Sequence, residues 1–427
     1  MKKRILSTIL LVTLALAPLA AEDMASFTLP STASAGRGGH HVAWTDDIYA
    51  LFVNPAALMT AREWSILQFS PALIGDTFKI LDIVSGGGDV TGKLGDFSKE
   101  SGGKIPFGLD LRFPIAFGYA GNGLGYGLFN RVSFDAKLAD TDVEARLNVD
   151  VVAKYGMAFK ILDTRFHRVN AGFGVKGFGR SMTSIDANAL DAMSDFMKVA
   201  DDSTIPMIMG GGLDLGFMYI WREDLSAALV FDDVFTRGVT VADMADKKAP
   251  SNWTVPFSAN IGTAYHLPWV RHIADVHVMM DYHDIGLLFT SDDYTKRNPA
   301  LGLSLGAEAQ FLKRIALRVG MNEMLPAVGL GLRLGSWNFD FAMYGKELGL
   351  EPGSMSTYVL DLGLSWRPKA KTKQFAWTKN SLVGVIANKR GGSSASGPAP
   401  SALESAESAA EEAQAGMDAA FDQQAAQ

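Results

Sequence analysis

The chain has 427 residues, a formal net charge of −7 and no cysteine, which excludes disulfide frameworks, thiolate metal sites and cysteine nucleophiles. Nucleic-acid-binding proteins present a basic face to phosphates, so this acidic balance predicts no nucleic-acid partner. Apolar residues make up 48 % of the chain, yet no internal run reaches the ~20 apolar residues of a membrane-spanning helix, so any crossing must be made by strands.

The N-terminus has the pattern of a secretory signal peptide. Lys2, Lys3 and Arg4 precede an apolar run, and small residues follow up to Ala21. A basic start, a short apolar stretch and a small-residue cleavage zone predict that residues 1–21 are removed on export.

Residues 22–63 lack the alternation that follows them. Within this stretch, Asn54 can cap a helix start and Pro55 suits the first helical position, where its missing N–H costs nothing. Taken alone, the pattern predicts a capped turn that leads into the first strand.

The sequence alternates with a period of two from about residue 107 to 367, and the predicted barrel spans residues 64–367. Leu109 and Leu111, for example, alternate with Asp110 and Arg112. Many runs match the ~9–11 residues of a tilted transmembrane strand, and their apolar faces carry no charge. Runs that end in Trp or Tyr fit the headgroup level of a membrane. The sequence therefore predicts an all-β fold, a transmembrane antiparallel β-barrel.

The predicted barrel has about fourteen strands, an even number as in bacterial barrels. They are expected near 64–72, 107–119, 123–136, 144–161, 168–182, 209–221, 225–236, 252–266, 276–289, 300–309, 314–322, 326–334, 337–346 and 356–366. With a periplasmic N-terminus, the longer connections fall on the outside. Charged residues on the polar faces are expected in the lumen.

The N-terminal region resembles the hatch of the FadL-like outer-membrane transporters, the long-chain fatty acid transporter family. The resemblance rests on a Gly-rich stretch at 36–39, the acidic pair Asp46 and Asp47, and the Asn54-Pro55-Ala56 motif just before the first strand. It implies a fourteen-stranded barrel plugged by residues 22–63. It also implies passive transport of hydrophobic small molecules such as long-chain fatty acids across the outer membrane, with Asp46, Asp47, Asn54, Pro55 and Ala56 in the gating hatch.

The same resemblance implies a kinked third strand and an apolar capture loop on the outside. The kink corresponds to Gly123, Gly125 and Gly127, although glycines here also fit a plain hairpin turn. The capture loop corresponds to Leu190, Met193 and Met197, whose helical spacing equally suits a loop helix that packs on the barrel mouth.

The sequence predicts no enzyme, cofactor or metal site. His277, Asp281 and His283 share one strand face, but an extended strand spreads them too far apart for one tetrahedral ion. The same objection applies to His40 and His41. They are expected to be polar lumen or hatch residues.

Residues 368–427 form a low-complexity tail, basic at first and later rich in Gly, Ser, Pro, Ala and Glu. A periplasmic protein is a possible partner of this tail, besides outer-membrane lipid and the hydrophobic ligand. Two alternatives therefore stay open: a barrel that serves as a protein-attachment or secretion scaffold, as in the type IX branch, and a general polar porin.

Overall fold

The computed structural model describes residues 22–45, 47–101, 105–112, 116–139, 142–188, 207–242, 252–270, 274–288, 297–368 and 381. By its contacts the chain divides into two units, residues 1–382 and 383–427, and all described residues lie in the first. The signal peptide and nearly all of the predicted tail lie outside the described residues.

The described strands form one antiparallel barrel wall in which each strand pairs with its neighbours in chain order. The last strand pairs with the first, Leu360 opposite Leu73, so the sheet is closed and has no free edge. Fourteen wall strands are present in the described part of the chain, as predicted.

The wall strands are β1 (Arg62–Ser65 and Leu67–Gly75), β2 (Ile105–Arg112 and Ala116–Gly121), β3 (Leu124–Ala139), β4 (Asp142–Asp163), β5 (His167–Asn188), β6 (Met207–Trp221), β7 (Leu225–Ala242), β8 (Asn252–Thr254 and Ser258–His266), β9 (Asp275–Tyr282), β10 (Leu303–Phe311), β11 (Ile315–Asn322), β12 (Leu325–Leu334), β13 (Trp337–Glu347) and β14 (Ser356–Trp366). A further two-residue strand, Glu22–Asp23, pairs in parallel with the first part of β8.

The two faces of the wall separate by polarity, as the alternation predicts. On β11, Leu317 and Val319 point outward and are 49 % and 57 % exposed, whereas the alternate residues Ala316 and Arg318 point inward. Because side chains alternate along a strand, the outer surface is apolar and the inner face carries the polar and small residues, together with buried apolar ones such as Phe129 and Met279.

Short turns connect neighbouring strands at one end of the barrel. Asn122 and Gly123 both have positive φ, 51° and 80°, between the paired residues Gly121 and Leu124. Two such residues match the twist of a hairpin, so the plain-turn alternative is confirmed here. From there, β3 pairs with β4 along its whole length without a register shift.

Helices are short and lie in the connections or before the wall. They are α1 (Thr32–Gly36), α2 (Ala50–Val53), α3 (Thr77–Ser85), α4 (Val90–Glu100) and the 3₁₀ helices Pro55–Met59, Pro268–Val270, Ile285–Leu288 and Pro299–Gly302. Among the described helices, none has the length and apolarity that spanning a membrane requires.

Candidate functional site

The described residues of the range 22–61, here called the N-terminal segment, lie inside the barrel. The segment contacts inward-facing residues on widely separated strands: Gly36 meets Gly329 on β12, and Pro55 meets Gly172 on β5. Only the interior is within reach of both strands. In a large buried cluster, Leu51 and Leu58 of the segment pack with wall residues such as Phe129.

Asn54 begins the 3₁₀ helix Pro55–Met59, as the sequence predicts. Its Oδ1 accepts a hydrogen bond of 2.9 Å from the Ala56 N–H, and Pro55 takes the first helical position. The side chain also makes a bond that the sequence did not reveal, since its Nδ2 donates to the Val42 carbonyl oxygen at 2.7 Å. Asn54 and Ala56 are completely buried, so the motif is part of the packed interior.

Wall glycines make room for the N-terminal segment. A Cβ at Gly172 would lie 2.5 Å from the Pro55 carbonyl carbon, and one at Gly306 would lie 2.3 Å from the Arg37 oxygen. A Cβ at Gly125 would lie 2.6 Å from a Leu58 methyl carbon. Glycine within a strand permits such close approach of another backbone. The glycine richness of the sequence therefore has a structural cause that sequence reasoning missed.

Buried charges of the wall hold the segment on one side of the barrel. Arg37 donates to Glu308 at 3.2 Å, and Glu308 also accepts from Arg318 at 2.7 Å. Asp281 pairs with the His41 ring and accepts from the Val42 N–H at 2.8 Å. Asp281 thus belongs to a contact with the segment, and its partner is His41.

A second buried charge pair lies near α1. Arg112 on β2 donates to Asp361 on β14 at 2.6 Å and also to the Pro30 carbonyl oxygen. The Thr32 hydroxyl donates to the same carboxylate at 2.8 Å. Both partners are almost fully buried, so the attraction between the two charges offsets the cost of removing them from water.

Opposite charges also neutralise each other along β4 to β7. Lys154 and Lys176 each lie 2.9 Å from an oxygen of Asp214, and Lys176 lies 2.5 Å from Asp233. Lys154 in addition donates to the Leu51 carbonyl oxygen at 3.0 Å. The predicted lumen charges Lys154 and Asp214 therefore pair on the inner face, and Lys154 also links this group of wall charges to the segment.

The acidic pair of the motif is described only in part. Asp46 lies outside the described residues. Asp47 accepts a 2.9 Å bond from the Tyr49 N–H and lies 3.6 Å from Arg367, which also approaches Glu63 at 3.8 Å. Asp47 thus connects the segment to the end of the wall.

The structure also describes only some of the other predicted site residues. Leu190, Met193 and Met197 lie outside the described residues, so the capture loop stays a prediction. Gly123 is in the turn, and Gly125 faces the segment. At Gly127 a Cβ would meet the Phe129 ring at 2.6 Å. A kink in β3 stays a prediction.

Two spaces border the segment inside the barrel. One is an apolar crevice of about 10 Å³, room for no more than one water molecule, lined by Phe27, Leu29, Phe52, Phe129 and Val152, with Arg131 and Asp150 among its polar residues. The other is a cavity of about 310 Å³ whose lining is mainly charged and polar, including Arg37, Glu308, Arg314, Arg318, Arg333 and Asp340. The first space is apolar and has no room for a ligand while the segment keeps this position, whereas the second has room for water or ions.

Burial strongly shifts the pKa of His40 in the segment. Desolvation by burial, followed by the charge of Arg37, lowers the pKa of His40 to about 3. Its Nε2 atom is buried and has no hydrogen-bond partner among the described residues. The ring is therefore neutral at pH 7.

Neither a protein-family model nor a curated protein matches this sequence. Among solved structures, the chain is similar to the toluene transporter TbuX of Ralstonia pickettii, with 10 % identity, a TM-score of 0.43, and 83 % of this chain and 100 % of that chain covered. It is similar to the P. putida toluene transporter TodX at 10 % identity and a TM-score of 0.42, covering 79 % and 100 % of the two chains. It is also similar to a Pseudomonas aeruginosa FadL homologue at 10 % identity and a TM-score of 0.26, and this match covers 81 % of this chain and 98 % of that chain. The predicted resemblance to FadL-like transporters thus has counterparts among solved structures.

Proposed function

We propose that the protein is a passive outer-membrane transporter of hydrophobic small molecules and that the N-terminal segment is its hatch. The apolar outer surface of the closed wall supports a membrane location. The signal peptide expected at residues 1–21 supports export to the outer membrane of a diderm bacterium. Long-chain fatty acids are one ligand class within this proposal.

The apolar crevice carries the ligand part of the proposal. Phe27 and Phe52 of the segment and Phe129 of β3 form its aromatic lining, and the Phe52 and Phe129 rings are 4.8 Å apart, edge to face. Buried apolar side chains continue from the crevice along the inner wall, among them Phe178. The crevice has a volume of about 10 Å³, so an apolar molecule enters it only when the segment moves. Its lining supports capture of such a molecule, since ligand sites are lined predominantly by hydrophobic and aromatic side chains.

The contacts of the segment support its role as a hatch. Asn54 and Pro55 lie against Gly172 and Gly216 of the wall, so this turn cannot shift without opening the lumen beside β5 and β6. A ligand in the crevice touches both Phe52 of α2 and the wall. Ligand binding is therefore coupled to the position of the segment.

Mass spectrometry of lipids extracted from the barrel purified in mild detergent tests ligand capture. Enrichment of free fatty acids or another apolar compound over an unrelated barrel is expected. Phe52→Gln should lower the enrichment because it makes the crevice polar. Phe166→Gln, in a turn and 44 % exposed, should not. Absence of enrichment in the unaltered protein contradicts capture, and an associated protein found instead favours the scaffold alternative.

Uptake of radiolabelled oleate by intact cells that express the barrel tests gating. The double substitution Asn54→Ala and Pro55→Ala is expected to lower uptake, while heat-modified gel migration shows that the barrel remains folded. Unchanged uptake in a folded double variant contradicts the gating role of this motif.

A polar porin is the second candidate, favoured by the 310 Å³ polar cavity beneath the segment. Planar-bilayer conductance separates the two proposals. A hatch-closed transporter should conduct ions poorly until the segment is destabilised, whereas a porin should show steady open-channel conductance.

A further inference from the structure

Two histidines and one aspartate meet where β8 leads into β9. His266 and His277 lie directly opposite each other in the antiparallel ladder. Asp275 precedes His277 by two residues and therefore lies on the same face of β9. This face points into the lumen, since Asp281 on the same face of β9 contacts His41 of the segment. The sequence analysis grouped His277 with Asp281 and His283 and did not connect it to His266.

The three side chains have the separation that a single metal ion requires. His266 Nε2 lies 2.6 Å from Asp275 Oδ1, and the two imidazole rings stack with centroids 4.6 Å apart. One ligand atom from each residue lies within 4.8 Å of the others. Bonds of ~2.0–2.2 Å to a tetrahedral zinc ion place donor atoms about 3.4 Å apart, so small side-chain rotations are sufficient.

Asp224 supplies an orienting partner behind His266. Its Oδ1 lies 3.7 Å from His266 Nδ1, the nitrogen that faces away from Asp275. The backbone N–H of His266 also donates to the Asp224 carbonyl oxygen at 2.7 Å, which holds the two residues together. A histidine that binds a metal through one nitrogen commonly has a carboxylate at the other, and this fixes the ring tautomer.

The surroundings leave room for further ligands. Asp275 and His277 line the 310 Å³ polar cavity, which has space for coordinated water. Trp44 of the N-terminal segment stacks on the His277 ring, with centroids 4.6 Å apart. A cation bound here therefore lies next to the segment.

We propose that His266, Asp275 and His277 bind a borderline divalent transition-metal ion such as Zn²⁺. Two imidazoles and one carboxylate favour zinc, nickel or copper over magnesium and calcium, which prefer oxygen ligands. Asp224 is a positioning residue that acts through His266. The simpler explanation of the cluster is an ion pair between His266 and Asp275, and this pair requires no metal.

Calorimetric titration of Zn²⁺ into the full chain, purified without a polyhistidine tag and stripped with EDTA, tests the proposal. One equivalent should bind, and a large excess of Mg²⁺ should not displace it. His266→Ala and His277→Ala should each weaken binding by more than about a hundredfold, and Asp224→Asn by about tenfold, in keeping with the loss of an orienting partner. His167→Ala is the matched control and should bind as the unaltered chain does.

Fluorescence of the unaltered chain gives a second readout, which does not require the histidine variants to fold. Cu²⁺ bound at this cluster should quench Trp44, and the quenching should be lost in Trp44→Phe while zinc binding remains. Absence of stoichiometric Zn²⁺ binding in the unaltered chain overturns the proposal and leaves the ion pair. Zinc binding that persists in a folded His266→Ala, His277→Ala double variant overturns it as well.

Discussion

The side-chain amide of Asn54 donates a 2.7 Å hydrogen bond to the carbonyl oxygen of Val42, and both residues are buried inside the barrel. The same side chain accepts from the Ala56 N–H. One residue therefore starts the helical turn at Pro55 and ties this turn to an earlier part of the segment. Through these two hydrogen bonds, the Asn54-Pro55-Ala56 motif contributes to the packing of the segment as well as to its own turn.

Asn54→Ala is expected to destabilise the N-terminal segment while the wall stays folded. The variant loses a helix cap, worth about 0.5–2 kcal/mol. It also leaves the Val42 carbonyl unpaired in a buried place, at a cost of about 1–3 kcal/mol. Limited proteolysis should cut within residues 22–61 faster than in the unaltered protein. Asn54→Ser retains a cap acceptor but lacks the amide that donates to Val42, so it should be intermediate, and equal cleavage of all three proteins contradicts the prediction.

Gly172→Ala is expected to displace the turn at Pro55. The new Cβ would lie 2.5 Å from the Pro55 carbonyl carbon and 2.6 Å from the Ala56 nitrogen, and both are backbone atoms that must shift. Gly177→Ala on the same strand is the matched control, because its Cβ would meet only the Gly210 oxygen, at 4.0 Å. Proteolysis of the segment and ion conductance should increase for the first variant only. If Gly172→Ala changes neither proteolysis nor conductance, the segment does not pack closely against the wall at this position.

Arg112→Met is expected to lower the free energy of unfolding by about 3–5 kcal/mol, because it leaves the buried Asp361 carboxylate without its cation. Urea unfolding of the barrel in detergent measures this change. Arg168→Met removes a partly exposed arginine, about a third exposed at its side chain, and should stay within about 0.5 kcal/mol. The double variant Arg112→Met, Asp361→Leu should recover part of the loss. No recovery would show that Arg112 acts through packing alone.

Val319→Arg is expected to impair membrane insertion. Val319 points outward on β11 and is 57 % exposed, so the new charge faces lipid and costs about 2–4 kcal/mol near mid-bilayer. Leu312→Arg, in a turn and 85 % exposed, should insert normally. Folding yield into lipid vesicles checks the pair. Equal yields contradict the assignment of the outer face to lipid.

The segment is expected to loosen as the pH falls from 6.5 towards 3. The pKa of His40 is about 3 in the folded protein and 6.5 in the unfolded chain, so only the unfolded chain takes up a proton in this window. The stability contributed by the neutral ring is complete above pH 6.5 and is lost as the pH falls. The difference in proteolytic protection between the unaltered protein and His40→Phe should therefore change between pH 7 and pH 4. His167→Phe should show no such difference, and parallel curves for all three proteins contradict the assignment.

Periodicity predicted the wall because a bilayer penalises charge on one face of every strand. Each of the fourteen predicted strands overlaps a wall strand, including β13 and β14, where Trp337 and Trp366 pair at their ends. The Asn54 cap was predictable for a similar reason, since capping depends on residues adjacent in sequence. The kink, the capture loop and the hatch function stay predictions.

Contacts between distant residues could not be read from the chain. His266 meets His277 only through the register of the β8–β9 hairpin, and Asp281 meets His41 only after the barrel has closed around the segment. In the sequence, nothing distinguishes these residues from other polar residues of the strands or of the segment.

The sequence by itself determined the barrel, its outer and inner faces and the local turn at Asn54, because alternation, side-chain polarity and capping are local properties of the chain. The tertiary structure alone decided which wall glycines receive the segment, which charges pair, and where histidines gather. Those outcomes depend on strand register and on the path of the segment across the lumen, and both are set by closure of the sheet.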